Sequence, residues 1–410
     1  MDYDVIVIGL GPAGAHFSYL ASKQGYRVLS LDKRKGYSHK ACAGGISPVS
    51  VRALKNAYKR IPAAVVERKI RKLRVESHTN SIVLDLPQTE AFTTYRSNFD
   101  TWLINCARDA GTSVKEKCKI RKVNVASEAV HVQYYEQREL REARSPLLIG
   151  AYGVRSTIQK MLHLDAPQSV NAVQCEIPLP EEEVDALGDT LRLYYMSAVS
   201  KLGYVWIFPK STHLTVGVGD QTSVLALKAK LRKFIQRNPL TRKYCGSYSF
   251  NAGLIPNEVV SKTYGERVIL VGDAAGFSDR ISWEGISYAL RSAECAATVF
   301  HSAYEQEDFS DKMVSEYRTM WKSCFGKELT LGKALQRILF DEKLDEAWSN
   351  AIDVVNNDEK LRRFFADELV EHMSLGRAIA RLPLRTKIRL LGRGRRGIRA
   401  LLRFGARPAG

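Results

Sequence analysis

A glycine-rich turn near the start of the chain has the residue types and the spacing that bind a dinucleotide. Residues 9–14 read GLGPAG and give the pattern G-x-G-x-x-G between a predicted strand and a predicted helix. The first glycine permits a tight turn, the second lets the backbone approach a pyrophosphate, and the third lets helix and strand pack closely. The helix N-terminus favours the phosphates. Asp32 ends the next predicted strand, where its carboxylate can accept hydrogen bonds from a ribose.

This fingerprint does not distinguish NAD from FAD, and a glycine turn in an unrelated α/β unit is the alternative to a dinucleotide site. A second segment, RVILVGDAAGFSDRISWEGISYALRSAECAA at 267–297, favours a flavin. A buried strand there leads to Asp273, whose carboxylate can bond a polyol hydroxyl, and Gly285 opens a helix. The N–H groups of that helix would favour negative charge on a reduced flavin ring. The alternative is an ordinary strand–loop–helix with Asp273 as a cap.

The segment GYVWIFPK, residues 203–210, places three aromatic side chains on one side of a predicted strand. Alternate side chains of a strand share a face, so Tyr204, Trp206 and Phe208 point one way. The opposite face is apolar as well. Either the strand is buried in a plain sandwich core, or its aromatic face lines a cavity for a large apolar molecule.

The elements that must position these groups follow from the hydrophobic pattern. DYDVIVIG (2–9) and YRVLSLDKR (26–34) predict buried strands around a helix, which is a βαβ opening. LRLYYMS, GYVWIFP and HLTVGVG predict consecutive antiparallel strands, and RVILVGD predicts a return to the first sheet. The resulting prediction is a discontinuous domain over 1–170 and 251–300, an inserted antiparallel-sheet domain over 171–250, and a helical C-terminal region over 301–410.

Composition and charge narrow the class of protein. The chain has 410 residues, of which 45% are apolar and 26% charged, as in soluble globular proteins. Seven scattered cysteines include no CxxC pair, which argues against a disulfide framework and a zinc site, so no metal is predicted. We see no signal peptide and no run of about 20 apolar residues. These features predict a cytoplasmic protein.

Three motifs together resemble the FAD-dependent oxidoreductases of the aromatic-hydroxylase fold: GLGPAG, GDAAG and the EGI that opens a helix. Within that fold, HKACAGGIS (39–47) and the aromatic strand resemble the geranylgeranyl reductase family, whose pattern is Y-x-W-x-F-P, seven residues and G-x-G. The matching residues are Tyr204, Trp206, Phe208, Pro209, Gly217 and Gly219. The resemblance implies an α/β (α+β) protein with a Rossmann-like FAD-binding domain, an inserted antiparallel-sheet substrate domain and a helical C-terminal region.

The resemblance also implies the activity, which is saturation of isolated C=C bonds in a polyprenyl lipid. FADH2 would give a hydride from N5 to one alkene carbon, while Cys42 or Tyr204 would supply the proton for the other. A small buried hydrophobe is the alternative role for Cys42. An alkene must be bound by apolar burial, for which the predicted residues are Tyr204, Trp206, Phe208 and Trp283. The external electron donor stays open between NADPH, ferredoxin and a similar carrier.

The FAD contacts that the resemblance implies come from several segments. The pyrophosphate would lie on Gly9, Gly11, Ala13 and Gly14, and the adenosine would meet Asp32 and the backbone of Ile120. The isoalloxazine ring would lie against Cys42, Ala43, Gly44 and Gly45 and against Gly285 and Ile286. Arg96 would meet the phosphate side, and Asp273 would hold the ribityl chain.

Three residues depart from the pattern. Tyr152 replaces an acid that is common in the fold, and Arg280 and Trp283 stand where the family usually has a proline and a glycine. We expect Arg280 to add charge and Trp283 to add bulk on the substrate side of the flavin. A flavin-dependent monooxygenase acting on an apolar or aromatic substrate is therefore the alternative activity. The YVWIFP sequence argues against a halogenase, which typically has W-x-W-x-I-P, and a non-catalytic flavoprotein is a third alternative.

The C-terminal segment carries most of the net charge. The formal charge is +18, and the eleven Arg and Lys residues from Arg377 onward leave +7 for the preceding 376 residues. Residues 375–410 mix arginines with Leu and Ile, which predicts peripheral contact with an anionic membrane surface. A solvated end is the alternative. Nucleic acid is not predicted, because Phe404 is the one aromatic residue of this segment.

Overall fold

The computed structural model describes residues 1–34, 41–86, 90–244, 246, 249–340, 344–372 and 374–391. His39 and Lys40 of the predicted flavin loop lie outside the described residues, as do residues 392–410 of the predicted basic tail.

Within the described residues, the strands all end before residue 271. They are β1 (Val5–Ile8), β2 (Val28–Leu31), β3 (Gly45–Ile46), β4 (Arg68–Lys69), β5 (Lys72–Glu76), β6 (Ser81–Asp85), β7 (Phe92–Thr93), β8 (Ser113–Lys115), β9 (Lys119–Val125), β10 (Val130–Glu136), β11 (Glu139–Ser145), β12 (Leu148–Gly150), β13 (Ser169–Pro178), β14 (Thr190–Tyr194), β15 (Val205–Pro209), β16 (His213–Asp220), β17 (Asn251–Pro256), β18 (Tyr264–Gly265) and β19 (Val268–Leu270).

The helices dominate the C-terminal third of the chain. They are α1 (Pro12–Lys23), α2 (Pro48–Tyr58), α3 (Arg96–Asp109), α4 (Thr157–Met161), α5 (Glu181–Ala186), α6 (Val224–Arg237), α7 (Ile286–Glu305), α8 (Asp311–Trp321), α9 (Lys327–Leu339), α10 (Leu344–Asn356), α11 (Glu359–His372), α12 (Leu375–Arg381) and α13 (Leu384–Leu391). A π-helical turn over Lys322–Gly326 joins α8 to α9.

A six-stranded sheet in the order β18-β19-β12-β1-β2-β8 forms the first layer. Strand β1 pairs in parallel with β2 and β12, and β12 pairs in parallel with β19. All residues of β1, β2 and β19 are buried, as in parallel sheets covered by helices on both faces. The Rossmann-like part of the predicted fold is thereby confirmed.

A seven-stranded sheet in the order β17-β13-β16-β15-β14-β5-β6 forms the second layer. The predicted antiparallel run is present, because β15 pairs antiparallel with both β14 and β16. The sheet also includes β5, β6 and β17, which lie outside the predicted insertion at 171–250. The domain boundaries themselves stay a prediction.

The C-terminal helices pack against one face of the second sheet. An apolar cluster joins side chains of β5, β6, β14 and β15 to side chains of α9, α10, α11, α12 and α13. The helical C-terminal region is therefore confirmed as an element of the fold, and it covers the face that carries Tyr204 and Trp206. No helix within the described ranges combines the length and the apolar content that crossing a membrane requires.

Candidate active site

A cavity of about 340 Å3 lies where the two sheets and the C-terminal helices meet. Its lining includes the first turn of α1, the loop that carries Cys42, the start of α7, the aromatic face of β15 and apolar side chains of the C-terminal helices. The predicted residues that line it are Gly11, Ala13, Cys42, Ala43, Gly44, Gly45, Arg96, Tyr204, Trp206, Phe208, Asp273, Trp283, Gly285 and Ile286. The predicted residues Gly9, Gly14, Asp32 and Ile120 lie outside this lining.

The glycine turn has the geometry of a dinucleotide cradle. Gly9 has a φ of +103°, and a Cβ there would collide with the Ala151 carbonyl oxygen. A Cβ on Gly14 would collide with the Gly9 carbonyl oxygen, which explains why helix and turn require glycine. Gly11 faces open space, with nothing within 4 Å of a Cβ placed there. The turn thus leaves the N-terminus of α1 free to receive a pyrophosphate, and these residues fit FAD.

Asp32 lies just beyond β2 and braces the glycine turn. Its carboxylate accepts a hydrogen bond from the Leu10 N–H at 2.8 Å and pairs with the Arg34 guanidinium at 3.1 Å. Burial acts to raise the pKa of Asp32, but Arg34 and the two backbone N–H groups outweigh it and lower the pKa. Asp32 is therefore held as a carboxylate, and its predicted contact with the adenosine ribose stays a prediction. Ile120 lies half-buried on β9.

The loop that carries Cys42 packs closely against its neighbours. Gly44 has a φ of +74°, and a Cβ there would collide with the Thr94 carbonyl oxygen. A Cβ on Gly45 would lie 2.8 Å from the Phe208 ring, so this aromatic side chain rests directly on the loop. Backbone and ring thus fix the half-buried Cys42 at the cavity wall.

Arg96 contacts the Cys42 thiol. Its guanidinium forms two hydrogen bonds of 2.8 Å with the Asp100 carboxylate, and both side chains are buried. Burial disfavours the charged guanidinium, but Asp100 and Cys42 outweigh that cost and raise the pKa of Arg96. Arg96 is therefore a permanent cation beside the cysteine, and its predicted contact with the phosphates stays a prediction.

Lys210 holds the same loop from behind, and the sequence analysis did not single it out. The side chain is 1% exposed, and its Nζ donates to the Ala43 carbonyl oxygen at 3.0 Å and to the Thr215 hydroxyl. Burial lowers the pKa of Lys210, and Glu176 partly opposes this. Gln174 adds a 3.3 Å hydrogen bond to the Cys42 carbonyl oxygen. The sequence does contain a signal for Lys210, because a lysine directly follows the Y-x-W-x-F-P pattern at the end of a buried strand.

The predicted aromatic face lies at the cavity wall. Tyr204, Trp206 and Phe208 all line the cavity, and Tyr204 and Trp206 also belong to an apolar cluster with the C-terminal helices, so their role in binding a substrate stays a prediction. The Tyr204 hydroxyl donates to the Ser282 carbonyl oxygen, and burial raises the pKa of Tyr204. This phenol therefore keeps its proton and positions the ring.

Trp283 completes the wall from the loop before α7. Its ring stacks on Tyr204 with centroids 5.2 Å apart. A Cβ on Gly203 or Gly219 would collide with the indole, so both glycines are needed to accommodate it. Trp283 has a φ of +51°, in the left-handed region that favours glycine. This explains the family's usual glycine at this position, and it means that this chain carries about 1–2 kcal/mol of strain to place an indole in the cavity.

Arg280 does not bring its charge into the cavity, which corrects our expectation. Its guanidinium lies 3.6 Å from the Glu258 carboxylate, and the residue is absent from the cavity lining. Tyr152 also lies behind the lining, where it packs against Gly150. Of the three departures from the family pattern, Trp283 alone contacts the cavity.

A half-buried acid just before α7 was also missed. Glu284 lines the cavity and accepts hydrogen bonds from the Ser287 N–H at 2.7 Å and from the Ser287 hydroxyl. Burial raises the pKa of Glu284, against the lowering effect of Ser287. Glu284 therefore adds a third protonatable group to Cys42 and Tyr204.

The helical wall of the cavity is the largest feature that the sequence analysis missed. Trp348 of α10 stacks on Tyr195 with centroids 3.7 Å apart and faces the cavity. Other cavity-lining residues of these helices are Leu339, Ala351, Ile352, Val355, Phe365, Leu369, Leu375, Ile379, Leu390 and Leu391. Only the helical periodicity of these residues was visible, and it does not distinguish a cavity wall from a packed core.

One cluster bears on the prediction that no metal binds. Ligand atoms of Glu368, Glu371 and His372 on α11 lie within 4.8 Å of one another. The buried Glu368 pairs with the Arg381 guanidinium, which already neutralises its charge. We assign no metal to this cluster.

Several known proteins are similar to this chain over most of its length. The chain is 27% identical over 355 residues to a digeranylgeranylglycerophospholipid reductase of Methanococcus vannielii, an alignment that covers 85% of this chain and 89% of that protein. A geranylgeranyl bacteriochlorophyll reductase-like structure from Thermoplasma acidophilum superposes with a TM-score of 0.79 at 24% identity, over 87% of this chain and 92% of that one. The flavin-dependent brominase Bmp2 superposes with a TM-score of 0.72 at 17% identity, over 89% of this chain and 93% of that one.

The match to a family covers more than half of the chain. Residues 2–278 match the family described as FAD binding domain. This match agrees with the geometry of the glycine turn and confirms both the flavin cofactor and the resemblance inferred from the motifs. The chain therefore belongs to the FAD binding domain family and is an FAD-dependent oxidoreductase.

Proposed function

We propose that the protein saturates C=C bonds of a polyprenyl, geranylgeranyl-type lipid or a related isoprenoid. The apolar cavity carries this proposal, because it joins the Cys42 loop and the start of α7 to a wall of aromatic and aliphatic side chains. Burial of each CH2 group contributes about 0.8 kcal/mol, so a long hydrocarbon gains affinity without polar contacts. The relatives named as geranylgeranyl-lipid reductases support the same reaction.

When bound, reduced FAD supplies the hydride, and the protein must supply a proton and exclude water. Cys42 is the proposed proton donor, since it lines the cavity on a loop held by Lys210 and Gln174. Tyr204 is less suited to this role, because its proton is committed to the Ser282 carbonyl oxygen. Glu284 is a second candidate, because it lines the same cavity with a raised pKa.

We also propose that a membrane delivers the substrate and that an external carrier reduces the flavin. Leu390 and Leu391 of α13 line the cavity, while Arg385 and Arg389 on the same helix are at least partly exposed. Each basic residue near an anionic surface contributes about 1 kcal/mol. Co-sedimentation with vesicles of anionic and of neutral phospholipid tests this, and the variant Arg385→Gln/Arg389→Gln should bind the anionic vesicles about 30-fold more weakly. Equal binding to both vesicle types would remove the membrane proposal.

The mass of the lipid product tests the reductase proposal. The flavin is reduced anaerobically with dithionite, polyprenyl lipids are added in detergent, and the masses of the products are measured by mass spectrometry. A gain of two hydrogens per reduced bond is expected, and the fully saturated lipid serves as the control. If no lipid gains mass while aromatic substrates gain oxygen in air, the protein is a monooxygenase.

A further inference from the structure

Two cysteines outside the cavity lie together where α7 meets the π-helical turn. Tyr288, Arg291 and Cys295 are spaced i, i+3 and i+7 and therefore share one face of α7. Tyr288 packs edge-on against Phe325 of the turn, with centroids 5.4 Å apart. Cys295 is buried on the same face, four residues after Arg291, and its thiol interacts with the thiol of Cys324, the residue before Phe325.

The surroundings of Cys324 favour its thiolate. Arg291 donates to the Cys324 carbonyl oxygen at 2.7 Å, and its guanidinium lies 3.9 Å from the Cys324 sulfur. The interaction with the Cys295 thiol and the charge of Arg291 lower the pKa of Cys324, although burial and Glu294 oppose this. Cys324 is exposed, so a solvent-borne reagent reaches it. Glu328 pairs with Arg291 at 2.8 Å and fixes the guanidinium in place.

We propose that Cys324 and Cys295 form an oxidation site that reacts with hydroperoxides and closes to a disulfide. The Cys324 thiolate attacks a peroxide oxygen, which breaks the O–O bond and gives a sulfenic acid and hydroxide (or an alkoxide from an organic hydroperoxide). The Cys295 thiol then attacks the Cys324 sulfur and releases water, so two thiols lose two electrons and two protons to the peroxide. The disulfide links α7, whose first residues line the cavity, to the junction between α8 and α9.

The π-helical turn sets Cys324 apart from the other cysteines of the described residues. Cys324 lies in the middle of this turn, while Cys295 lies in a long regular helix. π-Helical turns are rare and frequently occur at functional sites, which agrees with a reactive role for Cys324.

The test uses the full-length protein with its flavin. Trypsin cleaves after Arg291 and Lys312 and after Lys322 and Lys327, so each cysteine lies in its own peptide. After treatment with hydrogen peroxide, we expect the peptides 292–312 and 323–327 to be joined, with a loss of two hydrogens. We also expect iodoacetamide to label Cys324 at pH 7 at least tenfold faster than the half-buried Cys106, whose pKa burial raises.

Two variants separate the steps. Cys324→Ser should abolish the joined peptides, whereas Cys106→Ser should leave them unchanged. Cys295→Ser should leave a Cys324 sulfenic acid that dimedone traps. If Cys295→Ser does not fold, labelling and peptide mapping of the unmodified protein still decide the question. Labelling of Cys324 no faster than Cys106, or peroxide treatment that leaves the two peptides separate, would overturn the proposal.

Discussion

The glycine turn, which fits FAD, and the helical wall, which we propose contacts the lipid, differ in the physical basis of binding. The turn at Gly9–Gly14 works through backbone geometry, and at Gly9 and Gly14 a single methyl group would collide with a carbonyl oxygen. The wall formed by α9–α13 works through apolar area, to which many interchangeable side chains contribute. Recognition by backbone requires particular residues, whereas recognition by area requires only volume and hydrophobicity. Substitutions should therefore act sharply in the first region and gradually in the second.

The largest effect is expected at the turn. Gly14→Ala places a Cβ against the Gly9 carbonyl oxygen, so the purified protein should carry no flavin. Gly25→Ala is the matched control: Gly25 has a φ of +90° but open space around it, so it should keep the flavin and lose about 1–2 kcal/mol of stability. The ratio of flavin to protein absorbance measures both. Equal flavin content in the two variants would show that the collision at Gly14 does not prevent FAD from binding.

The next effect separates chemistry from positioning within the cavity. Cys42→Ala should lower turnover about 100-fold, since it removes the proposed proton donor, while the flavin content stays unchanged. Tyr204→Phe should lower turnover less than about tenfold, because the Tyr204 hydroxyl only anchors the ring to Ser282. Anaerobic turnover with a polyprenyl lipid measures both. If Tyr204→Phe lost more turnover than Cys42→Ala, Tyr204 and not Cys42 would be the proton donor.

A graded effect is expected at the helical wall. Ala351→Trp adds bulk to a cavity-lining position of α10, so it should shorten the hydrocarbon that fits. We expect about a tenfold loss of kcat/KM with a 20-carbon prenyl lipid relative to a 10-carbon one, with normal flavin content. The shorter lipid is the internal control. An equal loss with both lipids would show that this wall does not contact the chain.

The smallest effect concerns the buried lysine behind the flavin loop. Burial lowers the pKa of Lys210 below its ordinary value of 10.5, so the unfolded chain binds more protons between the lowered pKa and 10.5. The free energy of unfolding should therefore rise with pH across this window, and Lys210→Met should lack that rise. Urea unfolding of both proteins from about pH 7 to about pH 10 measures the difference. If the free energy of unfolding changed with pH in the same way in both proteins, Lys210 would not have a lowered pKa in the folded protein.

The contrast between the two regions also explains what the sequence could predict. The β1–α1–β2 unit and its glycines were predictable, because tight turns and buried parallel strands allow few residue types. The aromatic face of β15 was predictable from alternation, and its partner strands from neighbouring runs of the same kind. Asp273 and Gly285 at the cavity were inferred from a strand–loop–helix pattern alone.

The helical wall and the polar groups behind the flavin loop were not predictable for physical reasons. Leu369 and Ile379 satisfy the same periodicity whether they face a cavity or a packed core. Lys210 reaches Ala43 across 167 residues of sequence, and nothing local to either residue indicates that contact. Arg280 was expected in the cavity from its position in the motif, but a nearby acid, Glu258, pairs with its charge outside.

The most direct test of the central claim, that an apolar cavity presents a lipid alkene to the flavin, is the anaerobic reoxidation of the reduced flavin. The dithionite-reduced protein, freed of excess dithionite, is mixed with a polyprenyl lipid or with its fully saturated counterpart, and the return of the yellow absorbance is followed. We predict reoxidation by the unsaturated lipid and none by the saturated one. The claim would be contradicted if both lipids reoxidised the flavin, or if neither did and the yellow absorbance returned only after oxygen was admitted.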